Sequence, residues 1–442
     1  MSQVIKIKRG KNIRLIGEAE NRILETYTSS TYALKPADYQ GLTPKMEVKV
    51  GMKVKAGDPI FHSKDNSDIK FTAPVSGEVV EIVRGDRRVI LEVIIKADEN
   101  IEYKKIDTNR EVKEIMLESG FWPILKQRPY NIIADPEVRP KAIHISAFDT
   151  SPLAPDYNFV LQEEEAQFKR GMAALSTLTD GLVHINTDAK ANNLECFQDS
   201  EIAQVNQFSG PHPAGLTGIQ IHHIDPINKG DVVWTVNVQH VTMLGRMLEK
   251  GHVDMSKTIA LTGSEFSETG YIKCISGCNV EGLVANRVSS EGTPRIISGN
   301  VLTGEQISKI SFLGFFHDQI TAIPEGDEYE FLGWLIPSYG RPSNSRTLPS
   351  YYSDKAYKVN TNYHGEQRAF VVSGEYEKVL PMDLFPVHLL KACLAQDLEN
   401  MEKLGIYEVV EEDLALCEFV CTSKIKVQQI LREGLDLLES EG

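Results

Sequence analysis

Several groups of residues in this 442-residue chain have types and spacings that chemistry uses. The first is the loop Ser209-Gly-Pro-His-Pro-Ala-Gly-Leu-Thr-Gly218. Glycine-rich loops cradle phosphates with backbone N–H groups, but Pro211 and Pro213 each remove one such donor. The loop therefore reads as a structural or interface loop. His212, His222 and His223 lie in or near it, and imidazoles bind metals. No acidic cluster stands beside them at ligand spacing, so no metal site is expected. Cys274/Cys278 and Cys417/Cys421 share one spacing, yet metal sites favour Cys-x₂-Cys with further ligands close by. Iron–sulfur sites need four clustered cysteines. Buried, unliganded thiols are the expectation. No Gly-x-Gly-x-x-Gly turn and no Gly-x-Ser-x-Gly elbow is present, and no carboxylate pair stands out as catalytic. The remaining group is aromatic: Phe121, Trp122, Arg128 and Tyr130, with Tyr157 further on. Aromatic faces beside a few polar groups suit a quinone or another flat ligand. The competing reading is core or interface packing.

These residues need elements to position them. Residues 48–79 carry the clearest local pattern. Gly51 and Gly57 supply turns, Pro59 sits at a strand start, and Ala73-Pro-Val-Ser-Gly77 forms a second turn. Gly77–Val83 alternates polar and apolar residues like a half-buried strand. The stretch resembles the hairpin of a biotinyl/lipoyl carrier domain, a barrel-sandwich hybrid. Its turn holds Lys64 in Ser63-Lys64-Asp65, without the flanks of a modified lysine, so the domain is expected to be unmodified.

Strand-like residues near Val4–Ile7 and Ile13–Ile16 are expected to add to this first domain, assigned to 1–108. Strands then alternate with helices: Lys141–Ser146, a helix over Glu163–Leu178, Leu182–Asn186, Ile202–Phe208, and Asp231–Val236 before a helix around Val241–Glu249. That alternation predicts a Rossmann-like parallel α/β domain over 109–256. Short β-like stretches with glycines, including Gly282–Ala285 and Gly299–Gly304, suit a β-grasp module over 257–328. An extended connection follows over 329–376. Helical stripes at Val387, Leu390, Leu394 and at Val427, Leu431, Leu435 predict a helical domain over 377–442.

Composition bounds the partners. The net charge is −15 with no basic block, which argues against nucleic acid. No apolar run reaches the ~20 residues of a spanning helix, and the N-terminus has no apolar signal core. Scattered cysteines suit a reducing compartment.

The order of the pieces, with four motifs, resembles the A-subunit family of the Na⁺-translocating NADH:quinone reductases. The motifs are Gly120-Phe-Trp-Pro-Ile-Leu-Lys-Gln-Arg-Pro-Tyr130, Ser146-Ala-Phe-Asp-Thr-Ser-Pro-Leu-Ala154, Gly210–Gly218 and Leu416-Cys-Glu-Phe-Val-Cys421. More distant likenesses are the C subunit of the Rnf complex and the flavin-bearing subunit of complex I. Those relatives bind FMN on a small-residue loop where this chain has Ser119-Gly-Phe-Trp-Pro123, so the flavin site looks closed. Their four-cysteine cluster is reduced here to Cys417 and Cys421, with Cys393 distant. The resemblance implies a component of a complex that oxidises NADH, reduces ubiquinone and exports Na⁺. It implies no prosthetic group in this chain, with FMN, FAD, riboflavin and iron–sulfur centres in partner subunits. It also implies a peripheral position on the cytoplasmic face of the bacterial inner membrane, docked to the membrane-embedded B subunit, and a link to quinone handling, for which the aromatic group Phe121, Trp122, Arg128 and Tyr130 supplies the candidate residues. The alternative is an Rnf-type protein that binds flavin and NADH.

Overall fold

The computed structural model describes residues 4–199, 201–289, 292–326, 331–332, 340–343 and 349–441. The hairpin region closes two small sheets on one another. One runs Thr31–Leu34, Ile90–Ala97, Gly77–Arg84, Lys53–Val54, and the other Pro44–Met46, Pro59–Ser63, Lys70–Thr72. Gly51 and Gly57 hold φ of 88° and 93°, a turn conformation that favours glycine. Ile60, Phe61, Phe71, Val79, Val93 and Ile95 fill the space between the sheets and are almost wholly buried. Each such side chain stabilises the barrel by roughly 2 kcal/mol. Lys64 is exposed at the turn, and its backbone N–H donates to Thr43 O at 2.8 Å.

The next unit is a seven-stranded sheet. Its spatial order is Ile5–Lys6, Gln204–Ser209, Leu182–Asp188, Ala142–Ser146, Val233–Thr235, Lys126–Arg128, Ile132–Ile133. The first five strands are parallel, and Lys126–Arg128 runs antiparallel to Val233–Thr235. From Ala142–Ser146 the chain crosses through helix Glu165–Leu175 to Leu182–Asp188 on one side, while Val233–Thr235 lies on the other. The order therefore reverses at Ala142–Ser146. Helix Val238–Lys250 starts on Asn237, whose side chain accepts from Gln239 N–H, and stops at Gly251 in the left-handed conformation. It packs tightly on Glu165–Leu175 because both carry glycine at the crossing. A Cβ on Gly171 would sit 2.1 Å from Val241 O, and one on Gly245 1.8 Å from Gln167 O.

The third sheet runs Glu305–Ile307, Pro294–Ser298, Gln319–Pro324, Ser256–Thr262, Gly270–Ile275, Ile23–Thr26. Helices Pro386–Ala395, Leu398–Lys403, Ala415–Val420 and Val427–Glu441 follow.

Three expectations are corrected. Ile5–Lys6 does not join the barrel but pairs in parallel with Phe208–Ser209 at the edge of the seven-stranded sheet. Ile13–Ile16 likewise adds no strand to the barrel, forming among the described residues only the bridge Leu15–Tyr357, and the unanticipated strand Ile23–Thr26 pairs with Gly270–Ile275 in the third sheet. A two- to four-residue apolar run names a strand but not its partner. Gly282–Ala285, expected as β, falls in the helical turn Glu281–Val284. Gly299–Gly304 is a turn, held by the Asn300 side chain accepting from the Leu302 and Thr303 N–H groups. The expected connection over 329–376 lies partly outside the described residues.

One apolar core runs through the barrel, the α/β unit and the third sheet. A second joins the C-terminal helices to Ile7, Ile13, Leu15, Phe208 and Ile219.

Candidate functional site

A cavity of about 360 Å³ opens where three units meet. It lies within the ~300–1,000 Å³ range of small-molecule sites. The α/β sheet contributes the loops at the carboxyl ends of its strands: Asp149 and Tyr157 after Ala142–Ser146, His212 after Gln204–Ser209, and Asn237 after Val233–Thr235. The third sheet contributes Asn300, His317, Asp318 and Gln319, and the helical tail contributes Glu411, Glu412, Ala415 and Gln428. Crevices outside strand carboxyl ends, where the order reverses, are where open α/β sheets bind ligands. Tyr157 and Asn237 flank that reversal.

A buried polar cluster forms one wall. The Tyr157 hydroxyl donates to Asp318 Oδ2 at 3.0 Å, and Asn237 Nδ2 donates to the same oxygen at 2.8 Å. Lys257 Nζ, fully buried, pairs with Asp318 Oδ1 at 3.0 Å and donates to Phe315 O. Burial acts to raise the Asp318 pKa, but Lys257 and its other partners outweigh it, and the carboxyl is held below its ordinary value. Burial, then the Asp318 charge, pushes the Tyr157 phenol well up. Burial, helped by Lys257, drops His317 to about 3, so its ring is neutral at pH 7. The wall therefore presents a fixed carboxylate, a phenol and amide groups. Lys126, also in the lining, has its Nζ 4.0 Å from the Phe316 ring centroid.

The sequence candidates fall elsewhere, Tyr157 apart. Phe121, Trp122 and Arg128 are core residues, none more than 2% exposed. Trp122 Nε1 donates to Ala134 O at 2.7 Å and its ring meets Trp234 edge-on at 5.4 Å. Arg128 donates to Asp413 Oδ2 at 2.6 Å and Glu412 Oε1 at 2.9 Å. Tyr130, at φ 79°, packs against Tyr407. In place of an open aromatic pocket, Phe121 and Trp122 fill the core, Arg128 and Tyr130 tie the α/β unit to the helical tail, and none of the four lines the cavity. Their sequence neighbours Lys126 and Asn131 do.

The glycine-rich loop is braced from all sides. Gly215 N–H donates to Thr150 Oγ1 at 2.9 Å, and Ser146 Oγ donates to Gly215 O at 3.0 Å. Gly218 makes room for the Arg128–Asp413 pair, since a Cβ there would lie 2.3 Å from Asp413 Oδ1 and 2.4 Å from Arg128 Nη1. His222 and His223 meet edge-on at 5.2 Å, but the three histidines bond to separate partners. His212 Nδ1 pairs with Thr150 Oγ1, His222 Nδ1 with Glu408 Oε2, and His223 Nδ1 with Ile219 O. Among the described residues no group of three or more His, Cys, Asp or Glu is placed to hold a metal. All six cysteines are buried and free. The Tyr376 hydroxyl donates to Cys421 Sγ at 3.0 Å.

Gly120 ends helix Val112–Ser119 with φ 76°. Thr72 Oγ1 of the barrel donates to Ser119 O at 2.8 Å, and a Cβ on Gly120 would lie 2.5 Å from that hydroxyl. The loop thus docks the barrel. Sequence reasoning missed Asn237 and Asp318. An Asn directly after an apolar strand and before a helix is an N-cap signal, and it was available for Asn237. Asp318 carries no such signal.

Comparison with known proteins agrees along the whole chain. Family profiles described as the NqrA N-terminal barrel-sandwich hybrid domain, the NqrA second alpha/beta domain and the NQRA C-terminal domain match residues 5–98, 107–253 and 258–309. Proteins named as the A subunit of the Na(+)-translocating NADH-quinone reductase align over 99% of this chain and 100% of their own length. Those of Pasteurella multocida and Yersinia pseudotuberculosis are 36% and 37% identical to it. A NAD⁺-reducing [NiFe]-hydrogenase structure (air-oxidized state) covers 69% of this chain and 55% of its own at 11% identity and a TM-score of 0.34, too weak a likeness to place the fold.

Proposed function

Because the chain belongs to the A-subunit family of the Na(+)-translocating NADH-quinone reductase, we propose that it is a peripheral component of such a complex that holds the quinone headgroup in the cavity at the strand carboxyl ends. It works on the cytoplasmic face, docked to the membrane-embedded B subunit, and carries no prosthetic group of its own. The flavins and iron–sulfur centres belong to its partners, and the α/β unit is a Rossmann-like scaffold put to this use. Among the described residues no helix is long and apolar enough to cross a membrane, so membrane attachment would run through partner proteins or surface contact.

The observation that carries the reading is the place of the cavity, at the order reversal of the sheet. The chemistry of its lining supports it. A quinone presents two carbonyl acceptors, and Lys126 and Asn131 on the wall carry N–H donors. The expectation for Phe121, Trp122, Arg128 and Tyr130 is revised accordingly: they hold the wall in place and Lys126 and Asn131 meet the ligand. Against a flavin-bearing input protein stands Gly120, whose open side is filled by Thr72.

The test is calorimetric titration of the full chain with a short-chain ubiquinone. Saturable binding is expected, and Thr303→Phe, at the cavity wall in a turn, is expected to abolish it with the melting temperature unchanged. Binding that is absent, or indifferent to Thr303→Phe, overturns the cavity assignment. Flavin absorbance in the purified chain would overturn the claim that it has no prosthetic group.

A further inference from the structure

The barrel ends in a feature that the cavity does not use. Strands Gly77–Arg84 and Ile90–Ala97 form a hairpin whose tip reads Arg84-Gly-Asp-Arg-Arg-Val-Ile-Leu91. Arg84, Arg87 and Arg88 are exposed, and so are Val89 at 57% and Leu91 at 43%. No ion pair engages the three arginines among the described residues. Among the described residues their side chains make one hydrogen bond, Arg84 Nη1 donating to Arg88 O at 3.2 Å. Arg87 and Arg88 hold φ of 53° and 64°, a left-handed conformation that costs a non-glycine residue energy. Glycine would relieve that cost, but the chain keeps guanidinium groups there.

Charge sets this tip apart. The whole chain carries 47 Lys and Arg against 62 Asp and Glu, yet residues 30–105 carry 13 against 12. The tip has three arginines against Asp86 alone. At physiological salt, charges more than ~8 Å away are largely screened. Just behind the tip the hairpin carries Glu81 and Glu92, the latter opposite Val83, so the positive charge is confined to the tip residues themselves. Aliphatic side chains beside guanidinium groups are the composition that binds the boundary between lipid headgroups and acyl chains.

We propose that the hairpin tip Arg84–Leu91 rests on the membrane surface, with its arginines on anionic lipid headgroups and Val89 and Leu91 entering the interface. It would orient the barrel while the bulk acidic surface stays clear of the bilayer. This inference does not depend on the quinone reading.

Co-sedimentation of the full chain with vesicles tests it. Phosphatidylcholine mixed with phosphatidylglycerol should retain the protein, phosphatidylcholine alone should not, and added salt should release it. Arg84→Gln, Arg87→Gln and Arg88→Gln together should lower the partition coefficient by about 100-fold, at about fivefold per arginine. Val89→Ser with Leu91→Ser should lower it by about tenfold. The charge-matched control Lys190→Gln, Lys229→Gln, Lys355→Gln, all exposed and all outside the barrel, should leave it within about twofold. The substituted tip residues are exposed, so melting temperatures should not move. No preference for the anionic vesicles, an arginine variant that binds like the parent, or equal loss in the lysine control each overturns the proposal. Loss of a protein partner with lipid binding unchanged would reassign the tip to an acidic protein surface and overturn it too.

Discussion

At the scale of single residues, the Arg128–Asp413 pair is held on every side. Both side chains are almost wholly buried, at 2% and 0% exposure. Their charges offset the cost of burial only while both remain. Gly218 gives them the space. Gly218→Ala places a methyl between the two and is expected to cost roughly 3 kcal/mol, the scale of breaking a buried pair, read as a shift in the urea midpoint with m unchanged. A variant as stable as the parent would show that the pair moves aside at little cost. Buried histidines add a pH dependence. Burial drops His212 to about 4 and, with help from Lys257, His240 to about 3. A folded-state pKa below the unfolded ~6.5 means that the unfolded chain takes up protons first as pH falls. Stability is therefore full above about pH 6.5 and declines toward pH 4. The two residues together should remove roughly 3 kcal/mol between pH 6.5 and 5. Asp38 and Asp149, whose carboxyls burial raises, act in the opposite sense. The clean readout is therefore a difference: His240→Leu should flatten the pH profile by about half of that loss. An unchanged slope would mean that His240 is not buried neutral.

At the scale of elements, local patterns were legible and long-range partners were not. The turns at Gly51 and Gly57 and the alternation of Gly77–Val83 place the barrel hairpin without further information. The strands at Ala142–Ser146, Leu182–Asp188 and Gln204–Ser209 were each readable within a few residues, because a buried parallel strand is a continuous apolar run between polar turns. Ile5–Lys6 was readable as a strand, yet its sheet was not, since two residues carry no register. The candidate site fails for a related reason. Phe121, Trp122 and Arg128 have the composition of a flat-ligand pocket, but aromatic rings fill cores for the same reason that they line pockets. What separates the two readings is whether Asp413, almost 300 residues later, arrives to neutralise Arg128. The cavity depends on the same kind of distant arrival. Asn237 ends one loop, Asp318 lies in another sheet and Glu411 in the helical tail, so no window of sequence holds the site.

At the scale of the whole molecule, the first stretch of chain works as a strap. Before it enters the barrel it touches every other unit. Ile5–Lys6 extends the seven-stranded sheet and Ile23–Thr26 the third sheet. Gly10 N–H donates to Lys378 O, Lys11 N–H to His212 O, and Gly263 N–H to Gly17 O. Ile7, Ile13 and Leu15 are buried in the core of the C-terminal helices, roughly 2 kcal/mol each, a sum near the lower end of the 5–15 kcal/mol that holds a protein folded. The barrel has its own apolar filling and needs none of these residues. Removing residues 1–27 should therefore leave the barrel intact and loosen the other three units. Hydrogen exchange reads this directly. Protection should fall at Gln204–Ser209, at Gly270–Ile275 and in helix Pro386–Ala395, while Gly77–Arg84 keeps its protection. The two uncovered sheet edges should also make the truncated chain prone to self-association. If the loss of protection fell mainly within the barrel, the strap would belong to that domain after all. If no protection were lost, the cross-unit strands would be too weak to hold the molecule together.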